Sequence, residues 1–288
     1  MKLDDSRLSD NVEDRRGSSS GGYGLHLGIG GTLLVLVVGY FLGVNPQTLL
    51  SLLNGAPDAS PSAPANSAVT EPSSDKQVLF VREVLRETEE VWTAYFQQRG
   101  QAYTAPTLVL FSGSIASACG LANAAAGPFY CPGDQKVYLD LTFFQQLSSQ
   151  FGAPGDFARA YVIAHEVGHH VQNLLGISGA AERAEQRTGQ IGANHVSVEV
   201  ELQADCYAGV WAEQANQARK ILEPGDLEQG LQAASAVGDD TLQKRMQGTV
   251  VPDSFTHGTS AQRVRWFRRG FESGRIENCD TFNAGAAL

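Results

Sequence analysis

Cysteine, basic charge and long apolar runs are all scarce in this chain. Four cysteines in 288 residues are too few to staple a coreless miniprotein, and none falls in a Cys-x-x-Cys pair of the zinc-ribbon type. Lys and Arg number 21 against 31 Asp and Glu, a formal net charge of −10. That excludes the basic surface needed to displace counterions from nucleic acid, so no nucleic-acid partner is expected. Internal repeats are lacking too. With one long apolar run only, a polytopic membrane protein is excluded. What is present is 42% hydrophobic residues with 13 Phe, enough for a packed core, so global disorder is excluded as well.

The single long apolar run is Leu25–Val44, which carries no formal charge. About 20 such residues cross the roughly 30 Å hydrocarbon core as one helix. Arg15 and Arg16 precede it, and no Lys or Arg follows before Lys76. The positive-inside rule then makes residues 1–24 a cytoplasmic tail, 25–44 a transmembrane helix, and places everything later outside. No small-x-small cleavage site follows, and the run exceeds a signal-peptide core, so the anchor is expected to stay uncleaved. Residues 45–75, rich in Pro, Ala, Ser and Asn and without aromatics, read as a flexible tether.

Residues 76–288 are expected to form one compact domain. Val78, Val81, Val84, Leu85, Val91, Trp92 and Tyr95 make a helical stripe over 77–98. Thr107–Phe111 and Lys136–Leu141 read as short strands, with Val137–Leu141 a candidate sheet edge, and 112–134 as a long irregular loop. Helices are expected over 142–150, 155–175 and 195–217, followed by a helical pair at about 226–247 and 259–273. The class is α+β, mostly helical with a small sheet.

Inside the 155–175 helix stands His165-Glu166-Val167-Gly168-His169. Histidines at i and i+4 leave one helical face together, so both imidazoles can reach one Zn²⁺. Glu166 is placed to take a proton from a water activated at the metal. His170 lies about 100° around the helix from His169 and reads as packing. A catalytic zinc site needs a third protein ligand, and the helix from His195 offers Glu199, Glu201 and Asp205. Glu201 and Asp205 share a face. The physical division of labour is Glu201 on zinc and Asp205 accepting a hydrogen bond from a ligand histidine. Glu199 and His195 remain competitors.

His-Glu-Val-Gly-His-His, followed by Val-Glu-Leu-Gln-Ala-Asp-Cys-Tyr-Ala-Gly, resembles the putative neutral zinc metallopeptidase family of bacterial, membrane-anchored proteins. The stretches Ser9–Gly17 and Phe255–Arg263 look like that family too, so the resemblance covers nearly the whole chain. It implies a zincin-like domain of the glutamate-ligand type. It also implies zinc ligation by His165, His169 and Glu201, with Glu166 as general base and Asp205 orienting. His257 and Arg263 resemble a segment of the membrane-embedded CAAX-type and heat-shock peptidases, although Gly258 stands where those have Pro. There the histidine would support the oxyanion on the scissile carbonyl, and the arginine would pair with Asp205 or a substrate carboxylate.

Outside the cytoplasm all four cysteines are expected to pair. Of the three connectivities, Cys119–Cys131 and Cys206–Cys279 are favoured. The first closes a short loop, for about 2–4 kcal/mol; the second staples the tail to the helix bearing Glu201. The expected protein is thus a single-pass, inner-membrane zinc endopeptidase acting on peptides or proteins on the periplasmic or extracellular side. The alternative is a zinc-bound, non-hydrolytic scaffold, for which a base at Glu166 has no chemical use.

Overall fold

The computed structural model describes residues 1–3, 7–17, 75–285 and 288. In chain order these form β1 (Val12–Asp14), α1 (Lys76–Gln97), β2 (Thr107–Phe111), β3 (Ser114–Ser117), β4 (Gly120–Asn123), β5 (Phe129–Cys131) and β6 (Lys136–Asp140). Helices follow: α2 (Thr142–Ser149), α3 (Asp156–Leu174), α4 (Ile177–Glu185), α5 (Gln190–Arg219), α6 (Asp226–Ala236), α7 (Asp239–Gln247) and α8 (Ser260–Ser273). The described chain is mostly helical with two small sheets.

The larger sheet runs β1-β2-β6-β5, and β3 and β4 pair as a separate antiparallel hairpin. β2 lies parallel to both β1 and β6, in register Val12↔Leu108 and Thr107↔Lys136, while β5 is antiparallel to β6. β2 reads Thr-Leu-Val-Leu-Phe without polar alternation because both its faces are covered. Leu108 and Leu110 enter the main helical core, while Val109 and Phe111 join a smaller cluster with Ile115, Cys131 and Tyr138. The hairpin thus caps the face of the sheet that the helices leave open, and the Cys119–Cys131 disulfide ties it to β5.

α3 is the central helix. From Phe157 to Val167 its apolar side chains are buried all round, against α5 and α6. α5 is crossed in turn by α8. That crossing is close because glycine faces backbone on both sides. A Cβ at Gly209 would lie 2.1 Å from Phe267 O, and one at Gly270 would lie 1.9 Å from Cys206 O. α8 starts on a capping box between Thr259 and Gln262, which fixes where Arg263 enters the core.

Several expectations need correction. Residues 112–134 are not one irregular loop: they hold β3, β4 and β5. Val137–Leu141 is not a sheet edge, since β6 is paired on both sides and the edges are β1 and β5. α4 and the first turn of α5 were not expected. The transmembrane helix and the single-pass inner-membrane placement are also not supported. Among the described residues no helix is long and apolar enough to cross a membrane; the longest, α5, carries Glu199, Glu201, Asp205 and Glu213. Leu25–Val44 and the tether before Asp75 lie outside the described residues. The opposed placement of the N-terminus and the domain fails independently. β1 is hydrogen-bonded into the sheet beside β2, and backbone-paired strands occupy the same side of any bilayer. Leu3 is in the main core, and Ser9 Oγ and Asn11 Nδ2 donate to Glu89 Oε1 at 2.5 and 2.8 Å.

Candidate metal centre

Two helices build the centre, and one glycine lets them meet. Tyr161, His165 and His169 follow one another at i+4 along α3, and Glu201 and Asp205 do the same on α5. Between them Gly168 faces Ala204: a Cβ there would sit 3.1 Å from Ala204 O and 3.3 Å from Ala204 Cα. The close approach brings one ligand atom each from His165, His169 and Glu201 within 4.8 Å of one another.

The separations fit a metal. His165 Nε2 lies 3.2 Å from Glu201 Oε2, and His169 Nε2 lies 3.3 Å from Glu201 Oε1. Donors about 2.0–2.1 Å from a tetrahedral zinc are about 3.3 Å apart. Two imidazoles and one carboxylate are also the donor set of catalytic zinc sites that keep the fourth position open. Both Nδ1 atoms are occupied elsewhere, His165 with Asp205 Oδ1 at 2.9 Å and His169 with Gln172 Oε1 at 2.9 Å, which leaves both Nε2 atoms facing Glu201.

Asp205 is itself clamped. Arg263 Nε donates to Oδ2 at 2.8 Å and Nη2 to Oδ1 at 3.0 Å, while the Tyr161 hydroxyl donates to Oδ1. Burial opposes ionisation of Asp205, but Arg263 and His165 hold its carboxyl below the usual range. Glu201 is held well below that range, against its burial, by the two histidines. Burial disfavours a charged ring at His165, yet Asp205 and then Glu201 outweigh it and push the imidazole up to about 10. The two carboxylates thus draw positive charge to this spot. Glu166 is different: burial pushes its carboxyl up, offset only in part by the neighbouring histidines.

The remaining candidates fall elsewhere. Glu199 faces His195, Oε1 to Nδ1 at 3.5 Å, and neither joins the cluster. His170 is buried and bonds Thr104 O at 2.7 Å and the Tyr130 hydroxyl at 3.0 Å, which ties α3 to the edge strand β5. His257 is half-exposed and held by Asp239 rather than by any member of the cluster. Asp239 Oδ2 accepts from the backbone N–H of Thr256, His257 and Gly258 at 2.8, 2.7 and 3.0 Å, and Oδ1 meets His257 Nδ1 at 3.2 Å. That hydrogen bond raises His257 above the ordinary histidine value. The loop rests on α5, where a Cβ at Gly258 would meet Val198 and Leu202 at 3.2 and 3.3 Å. Arg263 is buried on Asp205, not turned toward solvent. The disulfides are Cys119–Cys131 and Cys206–Cys279, the favoured pairing.

Tyr161, Gln172 and Asp239 escaped the sequence reading. Tyr161 at i−4 from His165 and Gln172 at i+3 from His169 were legible from helical spacing; Asp239 meets its loop only through the tertiary fold.

A family model described as a putative neutral zinc metallopeptidase matches residues 1–282. The chain is 47% identical over 291 residues to the uncharacterized protein YpfJ of Escherichia coli strain K12, covering 98% of this chain and 99% of that one. It is 48% identical over 192 residues to an uncharacterized protein of Mycobacterium tuberculosis strain H37Rv, covering 63% and 64% respectively. No solved structure matches it.

Proposed function

Since this chain belongs to the putative neutral zinc metallopeptidase family, whose name implies Zn²⁺ and a peptide or protein substrate, we propose that it is a zinc-dependent endopeptidase with Glu166 as its general base. The observation that carries this reading is the convergence of His165, His169 and Glu201 with Glu166 beside them on the same helix. These three side chains would hold the ion, which when bound supplies Lewis-acid polarisation of a peptide carbonyl and makes water more acidic. Everything else is the work of the protein's own groups.

Glu166 takes the proton from the attacking water and delivers it to the leaving amide nitrogen. Its burial supports this, because a carboxyl raised above the usual range accepts a proton more readily than an exposed one. Asp205, pinned by Arg263 and Tyr161, keeps the His165 ring oriented. His257, on a loop organised by Asp239, is read as the donor to the oxyanion. β5 is the strand edge that would pair with an extended substrate backbone, and Tyr130 fastens it to α3 through His170 and Asn173.

The test is metal content together with hydrolysis of an unfolded protein by the full chain. Wild type should bind one zinc and cleave; Glu166→Gln should keep the zinc and lose cleavage; His165→Ala should lose both. Cleavage that survives Glu166→Gln, or zinc retained without His165, sinks the reading.

A further inference from the structure

We propose that Gln172 and Gln203 form a positioning relay that fixes which nitrogen of His169 faces the metal centre, and that the disulfide-held C-terminal tail terminates this relay. The inference rests on His169 being a zinc ligand. Both glutamines are buried, at 0% and 5% exposure, so their amides must be satisfied inside the protein. Gln172 Oε1 lies 2.9 Å from His169 Nδ1. Gln172 Nε2 reaches Gln203 Oε1 at 3.0 Å and Val200 O at 2.8 Å. Gln203 Nε2 reaches Cys279 O at 2.9 Å.

Shape does not distinguish the two ends of an amide, so the direction follows from the termini of the chain of bonds. Cys279 O is a backbone carbonyl and can only accept. Gln203 must therefore turn its NH₂ to the tail and its oxygen to Gln172. Gln172 then meets two acceptors, Gln203 Oε1 and Val200 O, and must turn its NH₂ to both. Its own oxygen is left for His169, and an amide oxygen accepts only. The hydrogen of a neutral His169 ring is thereby placed on Nδ1, and the lone pair on Nε2, toward Glu201. Reversing any one link sets two acceptors face to face. The terminal carbonyl is anchored twice, by the Cys206–Cys279 disulfide and by Thr281 Oγ1 donating to Glu199 O at 2.7 Å. The two histidines are thus set by different chemistry: a clamped carboxylate behind His165, and a neutral amide relay behind His169.

Gln172→Met preserves length and volume but removes the acceptor. The zinc-loaded full chain carrying it should surrender metal to a chelator at least about tenfold more readily than wild type, as partners of ligand histidines do when lost. Gln172→Glu keeps the acceptor toward His169 and, protonated on its far oxygen, one of the two donated bonds, so it should hold zinc better than Gln172→Met. In the metal-free protein, long-range ¹H–¹⁵N spectra of the neutral His169 ring should show the Nδ1–H tautomer in wild type and Gln172→Glu. Gln172→Met should give a mixture, and Gln203→Met a weaker one; the latter decides the matter if Gln172→Met folds poorly. Val171→Ala, a buried neighbour outside the relay, should lower the melting temperature and leave the tautomer alone. An unchanged tautomer and unchanged zinc retention in Gln172→Met overturn the relay and spare the zinc reading. A wild-type chain that retains no zinc overturns the zinc reading, and the metal-free tautomer still decides the relay.

Discussion

Asp205 accepts from Arg263 through both oxygens, from Tyr161 and from His165, and it is wholly buried. Removing its cation should therefore cost more than the ion pair itself contributes. Arg263→Met is expected to destabilise the fold by about 3–5 kcal/mol in urea unfolding, because it strands a buried carboxylate. A cost below about 1 kcal/mol, the range of exposed pairs, would mean that Asp205 is solvated. Asp239 invites a pH experiment. Its carboxyl is held low against its burial, chiefly by the His257 side chain and the loop N–H groups, and His257 is raised by the same bond. The carboxylate's share of stability is present above its unfolded pKa and is lost as acid protonates the folded group. The histidine's share is present below its unfolded pKa and is lost as pH rises through the folded value. The pair is therefore worth most between about pH 4 and 6.5. Melting curves of Asp239→Asn and wild type should differ most in that window; a gap that keeps widening above it would rule out the charged pair. The pairing of His165 with His169 on one helix face, and of Glu201 with Asp205 on another, was legible because i, i+4 spacing is enforced by helix geometry. Asp239 was not, because nothing local joins it to His257 eighteen residues on.

Helices α3, α5 and α8 are held together where side chains are missing. Ala at Gly270 would put a methyl 1.9 Å from Cys206 O, a backbone atom that cannot step aside. We expect Gly270→Ala to cost at least about 1–3 kcal/mol, the usual penalty for overpacking, with a matching fall in melting temperature. Gly168→Ala meets Ala204 O at 3.1 Å, a tight but less impossible contact. Its expected signature is different: a modest loss of stability with a clear loss of zinc affinity, since any parting of α3 from α5 moves Glu201 off both histidines. Equal effects on both quantities would show that this crossing does not set the centre's geometry. The long helices could be read from sequence because each shows several turns of apolar repeat. β5 and β1 could not: three residues span barely one alternation, and Val-Glu-Asp looks like solvent-facing chain. The hairpin hid for another reason, as Ile115 is its one buried strand residue and the apolar Leu121 of β4 is exposed, so no alternation marks it.

Across the whole molecule, the N-terminal residues and the chain from Asp75 onward belong to one compact unit. The polar start reads as a tail because, Leu3 and Val12 aside, its attachments are hydrogen bonds and ion pairs, which carry no periodic signature. Arg16 reaches Asp75 at 2.8 Å, Lys136 reaches Glu13 at 2.9 Å, and Lys2 N donates to Ile221 O at 2.7 Å. Deleting residues 1–17 should therefore lower the melting temperature of residues 75–288, and adding the segment back as a peptide should restore part of it. No recovery at saturating peptide would mean that these contacts contribute nothing to stability.

β1 has a further consequence during synthesis. It leaves the ribosome well before its partners, since Val12 pairs with Leu108 and Lys2 docks at Ile221. Until those later segments emerge, the growing chain exposes an unpaired edge and the apolar side chain of Leu3 to whatever holds nascent chains. Such distant pairings close late, because the entropy of gathering the intervening residues is met before any contact rewards it. The opening residues should thus be the last to gain amide-exchange protection during refolding, behind the α3–α5 crossing that carries the metal centre.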